Sequence, residues 1–139
     1  MAAWFLLAVL ALFFFAAITL IQKHLLNLGI HPIIFGLYLM GFSFIAFLLT
    51  AILMKQSFAI PKSWILWLAI LGVIALAGNL AATYSFQKTP NAGYTQAIIS
   101  ASAVLVLLSS IAIFNSEFSW LKVIGVMLTI IGVIIIGLI

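Results

Sequence analysis

The sequence lacks most of the groups with which proteins perform chemistry. It has no cysteine, no arginine and no aspartate, and Glu117 is the only acidic residue among 139. Without cysteine, disulfides and thiolate metal ligands are excluded. Two histidines, His24 and His31, are too few for a metal site by themselves. With no nucleophile beside a base and no phosphate-binding loop either, we expect neither an enzyme nor a protein with a cofactor.

Charge is scarce as a whole. Charged residues make up 4% of the chain and hydrophobic residues 68%, whereas soluble domains are usually about 45–50% apolar. This composition cannot cover a water-soluble surface, so it indicates an integral membrane protein. The net charge of +4 comes from lysines placed singly along the chain. Because they form no basic patch, we expect no binding to nucleic acid.

Long apolar runs are what the sequence does have. A spanning helix needs about 20 residues, because the hydrocarbon core is roughly 30 Å thick. Five runs qualify, at residues 4–26, 32–54, 63–86, 90–114 and 118–138. They are too long, and alternate too little, for the strands of a membrane β-barrel. The sequence therefore predicts an all-α, polytopic membrane protein, with five transmembrane helices in one bundle and a single domain over residues 1–139.

The first run resembles a signal peptide only superficially. No basic residue precedes it, and it is longer than the usual apolar core of such a peptide. We therefore expect the amino-terminal segment to be retained as a membrane span.

Prolines and lysines mark the ends of the spans. Proline suits the first turn of a helix, where its missing amide is not needed, so Pro32, Pro61 and Pro90 predict helix starts. Thr89 is expected to cap the fourth helix with its hydroxyl. The lysines all lie in or beside connections, where their long side chains reach the headgroups: Lys23, Lys55, Lys62, Lys88 and Lys122.

Glu117 falls in the short break before the fifth span. Asn115 or Ser116 can cap the helix there, and its unpaired amides carry partial positive charge that favours a carboxylate. We therefore expect Glu117 to be a helix-terminal acid at the membrane surface, with Lys122 nearby. The alternative is a role in proton coupling.

The orientation of the chain in the membrane is weakly specified. With five spans, Lys55, Lys62 and Lys122 share the side of the amino terminus, while Lys23 and Lys88 lie on the other. This is a small bias under the positive-inside rule. A chain that inserts both ways can form an inverted homodimer, which reproduces the inverted repeats that many transporters carry in one chain. The alternative is one fixed orientation, with Lys55 and Lys62 in the cytoplasm.

Polar side chains recur at helical spacing on the third and fourth spans. Asn79 lies near the centre of the third, where an amide without a partner costs on the order of a few kcal/mol, and Thr83 shares its face. The candidate substrate pathway comprises Gln22, Lys23, Asn79, Thr83, Tyr84, Gln87, Tyr94, Gln96, Ser100 and Ser102. Each also has a structural interpretation: hydroxyls can bond their own helix, tyrosines belong to the interfacial belt, and Asn79 can bond another helix.

Small residues predict close helix packing on two spans. On the third span these are Gly72, Ala75, Gly78, Asn79 and Ala82, and on the fifth Gly125, Thr129 and Gly132.

Residues 87–138 resemble the EamA domain of the drug/metabolite transporter superfamily. The resemblance is carried by Glu117, Ser119, Gly125, Gly132 and Val133, and at the front of the chain by Lys23 and Pro32. Many members have a proline in the middle of the fourth helix, where residues 98–102 stand here. Members usually hold two five-helix repeats in inverted orientation around a substrate cavity, whereas this sequence has one. The resemblance therefore implies a half-size member.

It also implies a function. We expect export of small polar or amphipathic metabolites by alternating access, as an inverted homodimer in the cytoplasmic membrane in contact with its lipids. Since the spans contain no acid, the cargo is expected to be uncharged or zwitterionic, or an anion attracted by Lys23 and Lys88. The alternatives are a non-transporting lipid-binding or scaffold subunit, and a flippase subunit for a lipid-linked sugar.

Overall fold

The computed structural model of the chain describes residues 3–114 and 119–138. Its regular structure is entirely helical in these ranges, which confirms the all-α prediction. The helices are α1 Ala3–Asn27, α2 Pro32–Leu53, α3 Lys62–Lys88, α4 Ala92–Ser100, α5 Ser102–Phe114 and α6 Trp120–Leu138. Their outer ends lie within two residues of the limits given by the apolar runs.

Within these ranges, four helical stretches are long and apolar enough to cross a membrane. They are α1, α2, α3 and the stretch Ala92–Ile113, which joins α4 to α5. The last helix, α6, contains a shorter apolar segment, Val123–Ile136. Its backbone is helical over 19 residues, or about 28 Å at about 1.5 Å per residue.

The fourth span is interrupted, although one continuous helix was predicted over residues 90–114. Ala101 separates α4 from α5, and its amide bonds to the carbonyl of Ile98 at 3.1 Å, three residues back. Next to it, the Ser100 hydroxyl donates to the Gln96 carbonyl at 2.8 Å. Such back-bonding bends helices. Thr19, Thr50 and Thr83 make the same bond in α1, α2 and α3 without a break, so back-bonding alone does not cause this one, which lies where many EamA proteins have a proline and this chain has none.

The start of α4 also differs from the prediction. The cap is Asn91, whose side-chain oxygen accepts from the Gly93 amide at 2.8 Å, so the assignment of the cap to Thr89 was wrong. The Thr89 hydroxyl instead donates to the Asn91 carbonyl at 2.9 Å. By contrast, Pro32 lies in the first turn of α2 as predicted, behind His31 as the cap.

The packing divides the chain after Lys88 into two compact units. In the first, α3 packs against both α1 and α2, whereas α1 and α2 make few contacts with each other. The buried side chains all lie where α1 and α3 end and α2 begins: Gln22, Leu26, Pro32, Phe35, Thr83 and Phe86. We call this set the packed end. Residues 3–21 and 36–82 have no buried side chain, so the burial in this unit is confined to one end of the helices.

In the second unit, α6 packs along both α4 and α5 and so bridges the break in the fourth span. Ala92 and Thr95 on α4 and Val104 on α5 are buried.

Candidate functional site

A hydrogen-bonded pair joins α1 to α3 at the packed end. The Gln22 side-chain amide donates to the Thr83 hydroxyl at 3.0 Å, and that hydroxyl donates to the Asn79 carbonyl at 2.7 Å. Gln22 is 7% exposed and Thr83 4%. The Thr83 hydroxyl thus acts as acceptor and donor at once. Two residues of the candidate pathway therefore connect helices in this unit.

Removing either partner of this pair is expected to destabilise the packed end. Gln22→Leu and Thr83→Val each leave the other polar group buried without its partner. A double-mutant cycle should give a coupling of about 0.6 kcal/mol, with about 1.7 kcal/mol as an upper bound for hydrogen bonds between membrane helices. The measurement is reversible unfolding in lipid bicelles. Thr50→Val is the matched control, because the exposed Thr50 hydroxyl bonds only its own helix, at the Ala46 carbonyl. A coupling of zero would contradict a stabilising hydrogen bond between Gln22 and Thr83.

Lys23 makes a second connection between the same helices. Its ammonium donates to the Phe86 carbonyl at 2.9 Å. The residue four positions after Phe86 is Pro90, which has no amide hydrogen, so this carbonyl has no donor of the usual helical kind. A cation is also favoured at the carboxyl end of a helix. Lys23 therefore stabilises the end of α3, in addition to any contact with lipid headgroups.

The connection between α1 and α2 meets α3 through aromatic rings. His31 and Tyr84 pack edge to face, with ring centroids 6.3 Å apart. The His31 Nδ1 accepts from the Ile33 amide at 3.3 Å, which leaves Nε2 as the protonated nitrogen of the neutral ring. Gln22, Lys23, Thr83 and Tyr84, all of the predicted pathway, thus lie together at the packed end.

Asn79 is placed differently from its helical neighbour Thr83. It is exposed, and its amide donates to the carbonyl of Ala75 on its own helix at 2.8 Å, not to another helix. It lies nine residues before Lys88, or about 14 Å at about 1.5 Å per residue. This is half of a hydrocarbon core roughly 30 Å thick. An amide at that depth is costly against lipid, so its face of α3 requires protein or water.

That face of α3 is also the one with small residues. Gly72, Ala75, Gly78 and Asn79 are exposed and Ala82 is partly so; we call these five residues the α3 strip. A Cβ atom added at Gly72 or Gly78 would meet nothing within 4 Å. The strip predicted from the sequence is thus present on α3, and no described residue packs against its two glycines.

The remaining pathway residues occupy less enclosed positions. Gln87 is exposed at the end of α3, and Tyr94, Ser100 and Ser102 are exposed on α4 and α5, while Gln96 is half-buried. Ser100 and Ser102 flank the break at Ala101. Glu117 and its predicted capping partners lie outside the described residues. Among the residues that are described, no three of His, Cys, Asp and Glu are grouped as metal ligands would be.

Sequence reasoning missed a groove between α1 and α2. It has a volume of about 440 Å³, and apolar side chains form its walls, chiefly Ile18, Ile21 and Leu25 on α1 and Phe35, Tyr38 and Phe42 on α2. Tyr38 and Phe42 stack with ring centroids 6.1 Å apart. The helical spacing of these residues is ordinary for packing between helices, so the sequence carries no sign of a groove there.

Comparison with known proteins places the chain in a family. The model of the EamA-like transporter family matches residues 2–138, almost the whole chain. No curated protein and no solved structure matched it.

Proposed function

The chain belongs to the EamA-like transporter family, and from that premise we propose that it exports small polar or amphipathic metabolites by alternating access, as an inverted homodimer. Membership makes it a multi-pass membrane transporter of the drug/metabolite type. What we propose beyond membership is the direction of transport, the class of cargo, the inverted homodimer, and the location of the protein in the cytoplasmic membrane of a prokaryote.

The observation that supports this proposal most directly is the exposed amide of Asn79, about halfway through the hydrocarbon core. Because the small residues around it allow close approach, the α3 strip suits a second helix beside a hydrated cleft. The broken fourth span adds support. Ala101 lies nine residues after the start of α4, about 14 Å along the helix, and interrupted helices near the midplane are typical of substrate sites in transporters.

The uneven packing of residues 3–88 favours an inverted pair over a parallel one. The buried side chains of one copy all lie at its packed end. An inverted copy brings its own packed end to the opposite surface. The pair then has one packed end at each side of the membrane, which is the arrangement that inverted repeats give within one chain.

The cargo follows from the charges. The spans contain no carboxylate, so nothing in them neutralises a cation. The Lys23 ammonium already donates to the Phe86 carbonyl. We therefore favour uncharged or zwitterionic cargo over an anion held by Lys23.

Cysteine labelling tests the hydrated face directly, since the chain has no cysteine of its own. In membranes, Asn79→Cys should react with a small hydrophilic maleimide on the order of tenfold faster than Ala77→Cys, because the reactive thiolate forms only where water reaches it. Ala77 lies at a similar depth but about 200° away from Asn79 around α3. Equal protection of both positions would contradict a hydrated cleft and favour the non-transporting scaffold.

A further inference from the structure

The groove between α1 and α2 is separate from the α3 strip, and the proposed transport does not use it. We propose that it holds one acyl chain of an anionic phospholipid from the leaflet at the packed end. The proposal rests on the depth, the volume and the surrounding charge of the groove, and it stands whether or not the protein transports metabolites.

The groove has the depth of one leaflet. It begins beside the connection between α1 and α2, at Ile30, and reaches Phe42 on α2. Phe42 is ten residues from Pro32, where α2 begins, so the groove extends about 15 Å into the membrane. Half of the hydrocarbon core is also about 15 Å thick. A phospholipid chain inserted from this surface therefore runs alongside the groove over its whole length.

The volume matches one acyl chain. A helix is about 10–12 Å wide with its side chains, so 15 Å of helix takes on the order of 1,000 Å³. An extended alkyl chain is about 4–5 Å wide, since non-bonded carbons approach to about 4 Å, and the same length takes on the order of 300 Å³. The groove offers about 440 Å³. One acyl chain therefore fits within it, whereas a helix of a second copy would protrude.

The walls suit an alkyl chain as well. Gln22 is the one amide at the groove, and its nitrogen is turned to the Thr83 hydroxyl. The stacked rings of Tyr38 and Phe42 and the aliphatic side chains of α1 supply apolar surface throughout. A polar metabolite would lose its hydration here without gaining hydrogen bonds.

Charge at the membrane surface where the groove begins favours an anionic headgroup. Lys88 ends α3 at this surface, and Lys23 follows Gln22 on α1. Because the Lys23 ammonium donates to the Phe86 carbonyl, it adds positive charge there without itself holding the headgroup. Neither of these helices, nor α2, contains a carboxylate. Basic residues beside a membrane surface attract anionic lipids. Because lipid tails are as apolar as the walls, packing and this charge, not the hydrophobic effect, decide the binding.

The test is lipid retention by the purified full chain. The protein is delipidated in detergent and mixed with dipalmitoyl phosphatidylglycerol, and native mass spectrometry counts the lipids that remain. We expect one per chain. Leu25→Trp should reduce the apparent affinity on the order of tenfold, since an indole takes the space of the chain and overpacking is not accommodated. Leu20→Trp, on the same helix but outside the groove, is the matched control and should retain the lipid.

Each other outcome bears on the proposal. If both tryptophan variants retain the lipid equally, the groove is not its site. Should Leu25→Trp fail to fold, as circular dichroism would show, Tyr38→Ala removes one wall without adding bulk and should also lower retention; unchanged retention there overturns the proposal. Equal retention of dipalmitoyl phosphatidylcholine removes the requirement for charge and so contradicts the anionic headgroup. Loss of the dimer in Leu25→Trp with lipid retained would assign the groove to a second copy.

Discussion

Ala75→Leu is expected to weaken the proposed homodimer and to reduce the proposed export accordingly, whereas Ala77→Leu should leave both unchanged. Ala75 lies at the centre of the α3 strip, between Gly72 and Gly78. Small residues there allow two helix backbones to approach closely, and a leucine holds them apart. Overpacking of this kind costs about 1–3 kcal/mol, which weakens the dimer by roughly 5- to 150-fold.

The two substitutions are matched in size, helix and exposure, since Ala75 and Ala77 are both exposed on α3. They differ in direction by about 200° around the helix axis. The measurements are mass by light scattering in detergent, and efflux of a panel of neutral and zwitterionic metabolites from cells expressing each variant. If Ala77→Leu alone disrupts the dimer, the opposite face of α3 forms the contact. If neither does, α3 is not the interface.

The second large effect is expected from forcing the chain into one orientation. Gln56→Lys with Ser57→Lys adds positive charge to the connection between α2 and α3, and Asn27→Lys with Leu28→Lys adds it to the connection between α1 and α2. Under the positive-inside rule, these pairs bias insertion in opposite directions. Because each population then lacks inverted partners, either variant alone should lose export, and co-expression of the two should restore it.

The orientation of each variant is measured with tags at the carboxyl terminus, whose accessibility is probed from each side of the membrane. The unmodified chain should show tags on both sides, and each lysine variant on one. Glutamine at positions 27, 28 and 57, with Gln56 unchanged, is the control and should retain dual insertion and export. A single-orientation variant that exports fully by itself would contradict the inverted dimer, and so would an unmodified chain tagged on one side only.

Local features of the sequence were sufficient for the helices and the class of protein. In lipid every backbone amide and carbonyl must be satisfied within its own helix, so the length of an apolar run decides where a spanning helix lies. For this reason the five runs matched the outer ends of the helices, and Pro32 identified the start of α2. The residues that resemble EamA proteins gave the family, which the match over residues 2–138 confirms.

One error arose from competition between neighbouring groups. At residues 89–91, a hydroxyl and an amide were both available as caps, and Asn91 took the position assigned to Thr89. The sequence contains both candidates without deciding between them. The one-residue break at Ala101 has no such local cause, because Thr19, Thr50 and Thr83 make the same bond as Ser100 in helices that continue.

The sequence by itself determined which segments cross the membrane and which polar residues each of them carries. Only the tertiary structure decided where those residues face. Asn79 and Thr83 share one helical stripe, yet Thr83 is buried against α1 and Asn79 is exposed. Thr83 accepts a hydrogen bond from Gln22, 61 residues earlier in the sequence, which joins α1 to α3 at the packed end. Helical periodicity is a local property, whereas the face that each helix buries depends on such pairs between helices distant in sequence.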